Sequence, residues 1–129
     1  MNTEFIAVQP SLTSEQVMAF LRESAEEAET IFYMYVIDED EHLLGVFSLR
    51  DLVLAQPTTP VSEFMEKRVI TVRLEDSQED CAQMISKYNL LALPVIDEDK
   101  HIHGIVTADD ALDKIIPTAW KKRIPRLYH

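Results

Sequence analysis

One cysteine, two glycines and one tryptophan occur in 129 residues, and basic side chains number 12 against 23 acidic ones. The lone thiol, Cys81, has no partner for an internal disulfide, which fits a reducing, cytosolic setting. The shortage of positive charge argues against a body that grips nucleic acid phosphates. Long apolar runs are also missing. The longest, residues 31–37 (Ile-Phe-Tyr-Met-Tyr-Val-Ile), suits a buried strand and falls far short of a bilayer span. No basic residue precedes an apolar stretch at the N-terminus, so no signal peptide is expected. With 47% hydrophobic residues the chain is too apolar for disorder, and its length suits one compact domain or two small repeats sharing a core. Charge is unevenly spread: every acidic residue precedes Pro117, while Lys121, Lys122, Arg123 and Arg126 crowd the last 13 residues. That basic tail, with Trp120, reads either as an amphipathic docking element or as a disordered end.

The two glycines mark a repeat. Gly45 and Gly104 occupy the same place in windows 36–55 and 95–114, which share eight identities in 20 positions at an offset of 59. Leu43/Ile102, Val46/Ile105 and Ser48/Thr107 are conservative pairs in the same match. Each window reads as strand, acidic hairpin turn, strand and helix. The glycines are expected to begin the second strands, where a missing side chain permits close backbone approach. Ser48 and Thr107 stand where a helix N-cap hydroxyl belongs.

Upstream, the halves correspond at an offset of 64. Residues 5–8 (Phe-Ile-Ala-Val) match 69–72 (Val-Ile-Thr-Val) as short strands. Thr13 to Gln16 and Asp76 to Glu79 both resemble capping-box starts. One helix then places Val17, Leu21, Ser24/Ala25 and Ala28 on a face, and the other places Cys81, Met84/Ile85 and Tyr88 on one. Cys81 matches Val17, so a buried thiol is expected and not a nucleophile. The change of offset puts five extra residues in the first half near 26–30, lengthening its first helix by more than a turn. The order β-α-β-β-α therefore occurs twice. The joining segment carries a short helix at residues 61–65, with Thr59 as cap and Pro60 at the first position. The expected divisions are 1–55 for motif one, 56–66 for the linker, 67–116 for motif two and 117–129 for the tail.

The segments Gly45-Val-Phe-Ser-Leu-Arg-Asp51 and Gly104-Ile-Val-Thr-Ala-Asp-Asp110 resemble the CBS motif, which carries glycine, two apolar residues, Ser or Thr, any two residues and Asp at its second strand-to-helix junction. Leu93-Pro94-Val95 matches a further CBS feature, for which the first half has Met34-Tyr35-Val36. The resemblance covers about residues 3–116. It implies an α+β fold of two tandem CBS motifs, packed through their sheets with pseudo-two-fold symmetry. A narrower resemblance, to the CBS region of MgtE magnesium transporters, is carried by residues 28–38 and 44–52, with their long first helix and Tyr-rich strand. That family's CBS pair lies on the cytoplasmic side of a membrane channel and senses magnesium, with ATP bound in some members. The sequence departs from it in lacking transmembrane segments and the acidic connecting helix after the pair. It reads as a piece of a transporter relative or as part of a soluble MgtE-like protein.

By this resemblance Ser48 and Asp51 form one nucleotide site, and Thr107 and Asp110 a second. A hydroxyl and free N–H groups at a helix start can hold phosphate, and a carboxylate one turn on can accept from both ribose hydroxyls. Arg50 is placed to pair with phosphate in the first site, whereas Asp109 would repel it in the second. Tyr33 is placed to contact adenine. The first site is thus the better one for ATP or AMP, and the second is equally well read as a plain helix cap. Magnesium is the other implied ligand, with no residues assigned to it. The acidic turns do not have EF-hand spacing, since Gly104 is eighth from Asp97 and not sixth. His42, His101 and His103 lack a zinc-ligand spacing. No Gly-rich phosphate loop and no Ser-His-Asp grouping is found, so no enzyme is expected. The implied role is a regulatory sensor that controls a partner by conformational change, the partner being a membrane transport domain or an MgtE N-type domain. A homodimer through the motif-ending helices is expected. A ligand-free dimerisation module is the alternative.

Overall fold

The computed structural model describes residues 3–24 and 32–109. Strand β1 (Ala7–Val8), helix α1 (Ser14–Ser24), strands β2 (Tyr33–Ile37) and β3 (Leu43–Ser48) and helix α2 (Leu49–Leu54) make the first motif. Helix α3 (Val61–Phe64) follows α2. Strand β4 (Val72–Arg73), helix α4 (Gln78–Tyr88) and strands β5 (Ala92–Ile96) and β6 (Ile102–Thr107) make the second motif, whose closing helix has only its first residues among those described. Each motif contributes one three-stranded sheet, ordered β1-β2-β3 and β4-β5-β6. The outer pair is parallel and the hairpin antiparallel in both.

The repeat is legible in the register itself. Val8 pairs with Val36, and Val72 pairs with Val95. Both hairpins shift register after the equivalent residue, between Val36 and Ile37 and between Val95 and Ile96. The two offsets of the sequence comparison therefore meet in one geometry.

Alternation along the strands gives each sheet two apolar faces. Met34, Val36 and Phe47 turn to the helix side and pack with Val17, Leu21, Leu52 and Val61. Tyr35 turns the other way and meets Ala92, Ile102 and Ile105 of the second sheet, with Tyr33, Ile37, Leu43 and Val46 alongside. In motif two, Leu93 and Val95 pack on Cys81, Ala82 and Ile85. The sheets thus meet face to face and the helices cover the outside.

Helix starts follow the side chains that satisfy their free N–H groups. At α1 the Gln16 N–H donates to Thr13 Oγ1 at 3.3 Å, and the Thr13 N–H donates to Gln16 Oε1 at 2.9 Å, the expected capping box. At α4 there is a single side-chain cap in place of a box, one residue later than the sequence spacing placed it. Ser77 is the cap, accepting from the Asp80 N–H at 3.1 Å, while Asp76 accepts from the Arg73 N–H at 2.8 Å. Tyr88 was expected on the buried face of α4 but is 43% exposed. The left-handed Asn89 (φ 53°) ends the helix there, and Ala82 shares the seal with Ile85. At α3 Pro60 itself is the cap residue, with no side-chain cap bond, so Thr59 does not fill that role. The extra residues near 26–30 and the tail lie outside the described residues.

Residues 56–66 are fastened to motif one. The N–H groups of Ser14 and Glu15 donate to the carbonyls of Thr59 and Pro57, and Val61 and Ser62 donate to Leu12 and Pro10. The buried Ser14 hydroxyl donates to the Gln56 carbonyl at 2.6 Å. Beyond α3, Val46 and Glu66 exchange two backbone bonds of 3.0 and 2.7 Å. This contact explains Gly45, which is the third residue of β3 and not its first. A Cβ there would stand 2.8 Å from Met65 Sδ and 3.0 Å from the Glu66 carbonyl oxygen.

At the hairpin tips the motifs touch through equivalent residues. The Leu43 N–H donates to Lys100 O at 2.9 Å and the Ile102 N–H to Glu41 O at 3.2 Å. His42 and His101 stack between them, ring centres 4.3 Å apart. Glu41 (φ 67°) and Lys100 (φ 69°) are left-handed and follow the turns begun at Asp38 and Asp97. No helix among the described residues is long and apolar enough to cross a membrane.

Two outcomes follow from this packing. Gly45→Ala will lower stability by about 1–3 kcal/mol, read from urea midpoints, because backbone limits the relief of the new contact. The tips respond to acid. The His42 backbone N–H, followed by its ring, holds Asp38 below the ordinary carboxyl value of 3.8. Asp97 is held lower by the His103 ring first, then by the backbone N–H groups of His101 and Asp99. A carboxyl depressed in the folded state adds stability above its unfolded value, and that contribution disappears as pH falls toward the folded value. Stability will therefore drop below about pH 4, and Asp38→Asn combined with Asp97→Asn will flatten that acid limb in urea titrations.

Candidate functional site

A cavity of about 230 Å³ opens where the end of β3 meets α2 and motif two closes over it. Its first-motif wall is Tyr33, Tyr35, Val46, Phe47, Ser48 and Asp51. The far wall comes from the segment after α3, with Glu66, Arg68, Val69 and Ile70, and from motif two, with Leu90, Ala92 and Pro94. The interior is chiefly apolar and aromatic, with polar groups gathered at Ser48, Asp51, Glu66 and Arg68, the usual make-up of a small-molecule site.

Three of the six residues singled out from the sequence line this cavity: Tyr33, Ser48 and Asp51. Ser48 and Asp51 form a reciprocal capping box. The Asp51 N–H donates to Ser48 Oγ and the Ser48 N–H to Asp51 Oδ2, both at 3.0 Å. This fixes both side chains at the rim and leaves the Ser48 hydroxyl proton and Asp51 Oδ1 outside the box. It also occupies the Asp51 N–H, so the helix start offers fewer free amides than the spacing alone implied. Tyr33 is half-buried, and its hydroxyl accepts from the Leu91 N–H at 3.4 Å.

The other three stand apart. Arg50 is exposed and is not a wall residue, because the residues either side of it on α2 face the core and the cavity. The wall cation is Arg68, whose backbone N–H, not its guanidinium, donates to Glu66 Oε1 at 3.0 Å. Thr107 ends β6 opposite Ala92 and is buried outside this cavity. Asp110 lies outside the described residues, so its pairing with Thr107 is not described. Beyond the first motif, the contributors that the sequence reading missed are Glu66, Arg68, Val69, Ile70, Leu90, Ala92 and Pro94. They lie between α3 and β4 and in the second motif, and no local spacing marks them.

The other chemistry-bearing groups have structural work. Around Asp38, Asp40 and His42, and around Asp97, Asp99 and His101, oxygen and ring-nitrogen atoms lie within 4.8 Å of one another. The Asp38 and Asp97 carboxylates are already accepting from the turn N–H groups and from the imidazoles, as hairpin tips require. Burial, then the Asp76 and Asp80 carboxylates, push the Cys81 thiol up from its ordinary value, which suits an inert core residue.

This architecture is that of a CBS pair, and the chain belongs to the CBS domain family, whose model matches residues 1–57 and again 61–117. Within that family it is similar to the magnesium transporter MgtE. It is 48% identical to the Thermus thermophilus MgtE over 113 residues, which are 88% of this chain and 25% of that one. A crystal structure of the soluble part of a magnesium transporter superposes with a TM-score of 0.86 at 46% identity, over 88% of this chain and 44% of that one. The cytosolic domain of the Mg²⁺ channel MgtE in complex with ATP does so at 0.84 and 48% identity, over 86% and 45%. The chain thus spans about a quarter of the MgtE relative's length.

Proposed function

We propose that this chain is the regulatory CBS pair of an MgtE-type magnesium transport protein, and that it binds an adenosine nucleotide in the cavity above Asp51. The carrying observation is the placement of a fixed Ser48–Asp51 pair at the rim of an apolar, aromatic-walled cavity. Similarity to an MgtE cytosolic domain in complex with ATP supports the reading. The adenine ring lies among Tyr33, Leu90, Ala92 and Pro94, Asp51 Oδ1 accepts from the ribose, and Arg68 draws in phosphate. Exposed Arg50 reaches the outer phosphates of ATP, which AMP lacks. Thr107 and Asp110 remain the proposed second site.

The cavity walls come from both motifs and from the linker, so a ligand favours one arrangement of the motifs over others. That shift is the signal passed to a membrane transport domain, or to an MgtE N-type domain, on the cytoplasmic side. The role is regulatory and not catalytic. Mg²⁺ is the second proposed effector. It prefers oxygen ligands, so the imidazole-bearing hairpin tips are poor sites and carboxylates shared with neighbouring domains are better ones.

A homodimer completes the proposal. Val53 and Leu54 of α2 are 61% and 71% exposed, an apolar ridge opposite the core-facing Leu52. A second copy would cover it. A ligand-free dimerisation module is the alternative reading, and this ridge is the observation that favours it.

ATP and AMP will raise the melting temperature of the wild type, as mass action requires of a ligand selective for the folded state. Asp51→Asn, which keeps an acceptor for the Ser48 N–H, will bind about tenfold to a hundredfold more weakly by calorimetry. No shift with either nucleotide would leave the dimerisation module standing. Leu54→Asp will convert the dimer to a monomer in light scattering coupled to gel filtration, with the circular dichroism spectrum unchanged.

A further inference from the structure

Tyr35 occupies the middle of β2 and points into the seam between the sheets. It is 1% exposed, packed on Ala92 and Ile105, with the Phe5 ring edge-on at 6.1 Å. Among the described residues its hydroxyl oxygen is the buried side-chain polar atom that lacks a hydrogen-bond partner. Buried tyrosines ordinarily reach a partner, and an orphaned hydroxyl costs on the order of 1–3 kcal/mol. A phenylalanine would fill the same seam without that penalty. Burial first, then the neighbouring Tyr33 phenol, push its ionisation up from the ordinary value of 10.0, so the hydroxyl stays protonated and can both donate and accept. Tyr35 is also one of the residues that line the cavity, with Tyr33, Ala92 and Pro94.

We propose that the Tyr35 hydroxyl is the deep polar contact of this cavity and reads the edge of a purine base that carries the 6-substituent. The inference rests on the nucleotide reading above. With the sugar anchored at Asp51, the purine edge furthest from the sugar is the one bearing N1 and C6, and it enters the cavity ahead of the rest. In the unliganded seam the hydroxyl is sealed from water, so contact requires Tyr33, Ala92 and Pro94 to part slightly. Recognition of the base is thereby tied to the spacing of the two sheets, and the unmet hydrogen bond of the free protein is met in the complex.

The experiment is calorimetry and thermal melting of wild type and Tyr35→Phe with ATP and with purine riboside triphosphate, which lacks the 6-amino group. The expected result is about tenfold weaker ATP binding by Tyr35→Phe, with an unliganded melting point equal to or above the wild type's. Wild type should prefer ATP over the purine analogue, and the variant should lose that preference. Equal ATP affinity in the two proteins overturns the inference alone and leaves the nucleotide site standing. Absence of ATP binding by the wild type overturns both. Should the variant fold poorly, equal binding of ATP and the purine analogue by the wild type still refutes the contact.

Discussion

Strands β2 and β5 have no face for water. Met34 and Val36 are sealed under the helices of motif one, Tyr35 under the second sheet, and every residue of β5 is buried. Neither sheet can satisfy this alone, because its helices cover one side only. The face-to-face seam of Tyr35, Ala92, Ile102 and Ile105 is therefore the constraint from which the rest follows. It sets the pseudo-dyad, brings equivalent hairpin tips together at His42 and His101, and leaves a cavity at the end where β3 turns into α2.

Position relative to this seam divides the polar residues by role. Asp38 and Asp97, far from the cavity walls, spend their oxygens on turn amides and imidazoles. Ser48 and Asp51 are held by one another at the rim, and each keeps one hydrogen-bonding position for a guest. Capping the helix takes only one of the two carboxylate oxygens of Asp51.

Most of the fold was legible because two kinds of signal agreed. The doubled Gly45/Gly104 windows marked both hairpins, and β2 was visible as an apolar run because burial on both faces removes the usual alternation. Ser48 and Asp51 were legible through their spacing, which is local chemistry. What could not be read came from contacts distant in sequence. Arg68, Ile70 and Leu90 reach the cavity only through the packing of motif two on motif one. Gly45 needed the Met65–Glu66 segment to explain it, and Tyr88 was misplaced because Asn89 turns left-handed and ends α4 at that point. The left-handed Glu41 and Lys100 carry no glycine signal at all.

The attachment of the linker has a consequence for assembly. Thr59, Pro57, Leu12, Pro10, Val46 and Glu66 exchange their bonds entirely within the first 66 residues. A chain emerging N-terminus first can form these bonds before motif two exists. At that stage the Tyr35 face of β2 is open and its hydroxyl is still hydrated. The water is surrendered only when motif two docks, so that docking creates the unmet hydrogen bond, beside the cavity.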